Sequence, residues 1–114
     1  MEKEKRIKKE VSRLKKLYNG IDSDTMEIAK KLIERAAFMA VELEDLEVYL
    51  AENGWAGEFR QSDKVPAYNR ARPEGQTYNT LNANYQKIMK QLNDLLPSKS
   101  DDDAAKEILS FMAE

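Results

Sequence analysis

Between Lys5 and Lys16 the chain carries seven cations in twelve residues: Lys5, Arg6, Lys8, Lys9, Arg13, Lys15 and Lys16. Ammonium and guanidinium groups at this density neutralise phosphates. An affinity built on such contacts falls steeply with salt, because each one releases a condensed counterion. The same run also describes a solvated amphipathic helix whose lysines keep it soluble, and both readings stand at this level. No zinc-finger ligands accompany the charge, and a helix-turn-helix register fits at most around Asn19-Gly20. The chemistry on offer is contact with a polyanion backbone rather than readout of bases.

Other chemistry is narrowed by what the chain lacks. It contains neither histidine nor cysteine, which removes disulfides, thiolate nucleophiles, Cys/His zinc sites and imidazole acid–base catalysis together. There is no phosphate loop of the form G-x-x-x-x-G-K-[ST], so ATP hydrolysis is not expected of the chain itself. The run Asp101-Asp102-Asp103 invites a metal reading, but three adjacent side chains at a helix start diverge, and no liganding Glu follows at loop spacing. Helix capping explains them better. Glu42, Glu44, Asp45 and Glu47 read as the solvated side of a helix, or as an acidic stripe able to receive the basic helix of a neighbouring subunit. No cofactor, no metal and no enzyme activity are expected.

The elements that must position the cations are helical. Residues 3–17 place Ile7, Val11, Leu14 and Tyr18 on one side, and Asn19-Gly20 is expected to end that helix through positive φ. A second helix is expected from Ser23 or Asp24, where Asp24 to Glu27 fits a capping box, to about Glu52 before Asn53-Gly54. One apolar row on it reads Ala29, Leu32, Ala36, Met39, Leu43, Leu46 and Leu50. A third helix from Pro73 to Leu96 carries Tyr78, Leu81, Tyr85, Ile88, Leu92 and Leu95. Alternating three- and four-residue spacing makes these two rows coiled-coil seams, and their natural arrangement is an antiparallel pair. Beside the first row, Ile33, Ala37, Val41 and Val48 form a second one, which is expected to pack on an adjacent subunit of a homo-oligomer.

Gly54, Gly57 and Pro66 interrupt the helical pattern, and Trp55-x-Gly57-x-Phe59 before Gln61-Ser62-Asp63-Lys64 suggests a short hairpin. Trp55, Phe59, Tyr68 and Tyr78 either cover the open end of the helix pair or offer a binding surface. Asn79, Asn82 and Gln86 form a neutral polar row that suits an oligomer interface or solvent equally. After Pro97, residues 101–113 read as a last helix with Ala104, Ile108, Phe111 and Met112 on one sticky side. The expected fold class is therefore all-α. It comprises an antiparallel helical hairpin with a basic N-terminal helix, a short extended or hairpin-like insertion at the tip, and a short C-terminal helix. The corresponding units are residues 1–20, 21–97 and 98–114.

The 114 residues suffice for one modest domain. The net charge of −2 conceals segregation: residues 1–17 carry eight Lys/Arg against three Glu, and residues 22–58 carry three against ten acids. Such a chain offers a basic end to anions and an acidic face to basic proteins. No apolar run approaches a membrane span and the N-terminus has no apolar signal core, so a cytoplasmic location is expected.

Three blocks together resemble a known family: Leu32-Ile33-Glu34-Arg35-Ala36-Ala37 through Glu52-Asn53-Gly54-Trp55, then Val65-Pro66-Ala67-Tyr68-Asn69, then Tyr78-Asn79-Thr80-Leu81 to Leu95-Leu96-Pro97-Ser98. The chain is similar to phage terminase small subunits in which a long helix ends at Gly, an extended segment carries Pro, and a further helix closes on Leu-Pro-Ser. Asp94-Leu95-Leu96-Pro97 stands where that family commonly has a Gly-Leu-Thr-Pro-type ending, with Lys99 as the basic residue after it. The resemblance implies a non-catalytic component of a viral DNA-packaging machine in a bacterial host cytoplasm. Its partners would be double-stranded viral DNA, further copies of itself in a ring, and a large subunit holding ATPase and nuclease. The charge and seams of the residues themselves, rather than the resemblance, assign DNA binding to residues 1–20, oligomerisation to 21–97 and contact with the large subunit to the acidic segment 98–114. A coiled-coil adaptor or regulator that binds only protein partners is the competing expectation.

Overall fold

The computed structural model describes residues 2–96 and residue 112. Helix α1 spans Glu2–Leu17, α2 Ser23–Asn53 and α3 Pro73–Leu95, with strands β1 (Ala56–Phe59) and β2 (Tyr68–Ala71) between the last two helices. The mainly helical class and the small hairpin insertion therefore stand as expected. The helix expected over residues 101–113, and the unit 98–114 that contains it, lie outside the described residues apart from Met112.

Helix α2 is the spine, at 31 residues about 46 Å long. Its N-terminus is capped by Asp22, whose carboxylate accepts from the backbone N–H of Thr25 at 2.6 Å. The cap thus sits two residues before the expected Asp24. That bond also holds the Asp22 carboxyl below its ordinary range. At the other end Gly54 takes φ +83° and its N–H reaches Leu50 O at 2.8 Å, a conformation that favours glycine. The end of α1 differs from expectation, since neither Asn19 nor Gly20 adopts positive φ. Backbone bonds from Asn19 to Lys16 O and from Ile21 to Tyr18 O close the turn instead.

Small residues on α2 let two helices approach it closely. Ala29, Ala36 and Ala37 are fully buried together with Leu14 of α1, Ile33 of α2 and Leu92 of α3, and Tyr18 completes the cluster. Met39 of the first α2 row meets Leu81 of α3 across one groove, and Val41 of the second row meets Arg6 and Lys9 of α1 across another. The hydroxyl of Tyr18 donates to Asn93 Oδ1 at 2.6 Å, tying the α1–α2 turn to α3.

The second α2 row requires a correction. Ile33 and Ala37 are completely buried and Val41 is 3% exposed, all within the single chain. Their cover is α1, so these three side chains are not available to an adjacent subunit. Val48, the last of the row, is 57% exposed. The reason is length: the first turns of α1 lie level with Glu42 to Asp45, where Lys3 and Arg6 find their partners, and α1 has run out before Val48 is reached.

At the tip, β1 and β2 pair antiparallel, Ala56 opposite Ala71 and Phe59 opposite Tyr68. Pro73 opens α3 at its first turn, where a missing N–H costs nothing. Gly75 is buried against the indole of Trp55: a Cβ there would stand 2.8 Å from Trp55 Cε3. Trp55 in turn meets Tyr78 edge to face, with centroids 5.8 Å apart. Gly75→Ala should therefore displace the indole although alanine is the better helix former. Trp55 is the only tryptophan, so a red shift of the emission maximum reports the displacement; an unchanged spectrum would mean that Gly75 does not seat the ring.

Candidate nucleic-acid interface

Four apolar positions decide which cations of α1 face solvent. Ile7, Val11, Leu14 and Tyr18 turn inward, with Leu14 fully buried. Lys5, Lys9, Ser12 and Lys16, spaced four, three and four apart, then fall on the opposite side of the helix. All four are exposed. Lys8 and Lys15 flank this stripe on one side and are exposed as well, while Arg6 and Arg13 flank it on the other.

The two arginines are already engaged. Arg6 donates from Nη1 to Asp45 Oδ1 at 2.8 Å and from Nη2 to Glu44 Oε2 at 2.9 Å. Arg13 pairs with Glu10 one turn before it. Lys3 adds contacts to Glu42 at 2.6 Å and Asp45 at 3.3 Å. The acidic stripe of α2 thus receives a basic helix, but it is the chain's own α1 and not a neighbour's. Among the described residues Lys5, Lys8, Lys9, Lys15 and Lys16 take part in no ion pair. The seven candidate DNA-binding residues therefore divide into five free lysines and two arginines that fasten α1 or brace it internally.

The clasp has an electrostatic signature. The hydrogen bond from Arg6, followed by that from Lys3, holds the Asp45 carboxyl below its ordinary range, although partial burial opposes them. A depressed carboxylate contributes stability above its unfolded pKa and loses it as pH falls through the folded value. Asp45→Asn should therefore cost stability at neutral pH, with the difference from the parent shrinking below about pH 4. Paired urea titrations across the acid range check this; a difference that is constant with pH would show that the carboxylate charge does not hold α1. These groups are solvent-exposed, so the effect is small.

Between α1 and α2 an open groove of about 440 Å³ is lined by Arg6, Lys9, Ser12, Arg13 and Lys16, with Glu10, Glu44 and Val41 as its floor and edges. Four cations and one hydroxyl share that groove with the carboxylates of Glu10 and Glu44.

The aromatics at the tip separate into two groups. Trp55, 51% exposed, packs its indole against Gly75 and edge-on against Tyr78 at the start of α3. Phe59 and Tyr68 form a second edge-to-face pair, 5.7 Å between centroids, on the ribbon itself. Arg70 lies over the Phe59 ring at 4.6 Å. Arg72 crosses Gly57 so closely that a Cβ there would be 2.6 Å from its Nη2, and its Nε donates to Asn53 O at 3.2 Å. These arginines were not singled out from the sequence, although Tyr68-Asn69-Arg70-Ala71-Arg72 carries the period-two alternation that puts residues 68, 70 and 72 on one face of a strand. Tyr85 is half-buried, and that burial pushes its hydroxyl pKa up. Asn79 and Gln86 are exposed while Asn82 is half-buried, so the neutral row does not present a single surface.

No described helix is long and apolar enough to cross a membrane. Comparison of the chain with protein-family models, with curated proteins and with solved structures gives no match.

Proposed function

We propose that the chain is a non-catalytic DNA-binding protein of the terminase small-subunit kind, using the outer face of α1 for phosphate contacts in the bacterial cytoplasm. The observation that carries this reading is the stripe Lys5, Lys9 and Lys16, joined by Lys8 and Lys15, exposed and free of carboxylate partners on a helix fixed by Leu14 and Tyr18. Glu42, Glu44 and Asp45 of α2 are taken up by Lys3 and Arg6, and the outer lysines make no ion pair among the described residues. Contacts of this kind are positional and follow the backbone, whatever the base sequence.

Self-assembly belongs to the same proposal, with its surface moved. The exposed candidates are Val48 and the groove that Phe38, 51% exposed, lines with Met39 and Leu81. Recruitment of a large ATPase and nuclease subunit is assigned to residues 98–114 on their acidic sequence alone. Titration of a labelled mixed-sequence duplex with the full chain at low salt tests the central element. Saturable binding that weakens as salt rises is the expected result; no binding at low salt overturns the DNA reading and favours the protein-only adaptor.

A further inference from the structure

The cations of α1 are mostly lysines and those of the β1–β2 ribbon mostly arginines. Helix α1 presents lysines outward and keeps Arg6 and Arg13 in ion pairs. Among the described residues the arginines without a carboxylate partner are Arg35 on α2 and three at the far end of the helical hairpin, Arg60, Arg70 and Arg72, which lie within thirteen residues on or beside the ribbon. Lysine is a point charge suited to phosphate. Arginine carries a planar fork that matches the O6 and N7 acceptors of guanine in the major groove.

We propose that the β1–β2 ribbon is a second DNA-contacting element that enters the major groove, with Arg60 and Arg70 reaching base edges. This rests on the DNA-binding reading given above and adds to it a site of different chemistry. Residues 58–71 are all exposed, so the ribbon projects beyond the helices rather than lying on them. Its two strands are about 4.8 Å apart, and a two-stranded ribbon of this kind fits a major groove about 12 Å wide. From Gly54 to Arg72 the charge is four Lys/Arg against two acids, complementary to a polyanion.

Two features hold the fork ready. Arg70 is seated over Phe59 at 4.6 Å, and Phe59 is braced by Tyr68, so the guanidinium is presented from an aromatic platform. The ribbon's base is fastened to the helices, because Arg72 N–H donates to Trp55 O at 2.8 Å while its side chain crosses Gly57 to Asn53 O. Arg72 is thus a positioning residue. Arg60, in the loop beyond β1, makes no side-chain bond among the described residues and is free to reach a ligand. Phe59, Val65 and Tyr68 expose apolar area that a protein would also cover, but the arginines around them favour a polyanion.

The test compares the full chain with Arg60→Gln/Arg70→Gln and with Lys5→Gln/Lys9→Gln/Lys16→Gln, each against a duplex library selected on the parent and against mixed-sequence duplex. The ribbon variant is expected to lose about tenfold or more on the selected duplex and little on the mixed one. The lysine variant is expected to lose affinity for both by similar factors. Arg60→Gln alone, at a side chain with no packing role, should give part of the loss and guards against a folding artefact. An unchanged preference in both ribbon variants overturns the proposal while leaving lysine-based binding intact. Failure of the parent to bind any duplex overturns the DNA reading itself. Unaltered DNA binding together with lost self-association in sedimentation would make the ribbon a protein contact and likewise overturn the proposal.

Discussion

Leu14→Ala should lower the free energy of unfolding by about 2–5 kcal/mol, the range for truncating a fully buried leucine. The side chain is inaccessible to solvent and lies where α1, α2 and α3 converge, beside Ala29, Ile33, Ala36, Ala37, Tyr18 and Leu92. Three of those neighbours are alanines, which have no side-chain freedom with which to fill a cavity, so the site collapses poorly and the upper half of the range applies. Urea unfolding followed by circular dichroism measures the change. A shift in midpoint with the slope kept is expected if the three helices unfold together, whereas a reduced slope would show α1 leaving first. A loss below about 0.5 kcal/mol, the level of ordinary surface substitutions, would mean that α1 is not docked as described.

That docking also bears on how the basic segment is to be tested. From sequence, removing residues 1–17 is the direct experiment, since the cations are concentrated there. In the structure it would uncover Ile33, Ala37 and Val41 and remove Leu14, so loss of binding could not be separated from loss of fold. Substituting the outer stripe avoids this. Lys5, Lys9 and Lys16 are exposed, and replacing them with glutamine leaves the buried side of α1 untouched.

Lys5→Gln/Lys9→Gln/Lys16→Gln is the second large expected effect, on affinity instead of stability. Each lost phosphate contact removes the release of about 0.9 counterion, and at 0.1 M salt three of them amount to about two to three orders of magnitude in the binding constant. Thermal unfolding of the variant should match the parent, since none of the three side chains is in the core. Fluorescence anisotropy of a labelled duplex supplies the affinity. A variant that binds like the parent would move the phosphate contacts away from α1.

How far the sequence alone reaches varies by element. The two α2 rows are legible because apolar periodicity records burial, but periodicity does not say whether the covering helix comes from the same chain. Ile33, Ala37 and Val41 therefore read as an oligomer interface, when α1's own row of Ile7, Val11 and Leu14 was the partner. The boundary of that cover depends on helix length and direction, which explains why Val48 alone stays exposed. Caps were legible as residue types and less so as positions: Asp22, Ser23 and Asp24 all qualify, and only the bond to Thr25 N–H selects Asp22. Gly75 in the first turn of a helix reads only as a poor helix former, whereas its role lies in the distance to an indole twenty residues earlier.

The site divides in the same way. The clustering of cations on α1 is written in the sequence, whereas the separation of free lysines from engaged arginines is not. It follows from Glu42, Glu44 and Asp45 lying alongside Lys3 and Arg6 once α1 folds back antiparallel to α2. The ribbon arginines are spread over residues 60–72 and show no charge run. They belong to one ribbon only once Phe59 pairs with Tyr68 across the strands.

The most direct test of α1 as a phosphate-binding face is the slope of log Kobs against log salt concentration for a mixed-sequence duplex, measured for the full chain and for Lys5→Gln/Lys9→Gln/Lys16→Gln. The account predicts a steep linear fall for the parent and a slope shallower by about 2.7 for the variant, three contacts at 0.9 each. Equal slopes for the two proteins, or a parent that binds no duplex at low salt, would contradict it.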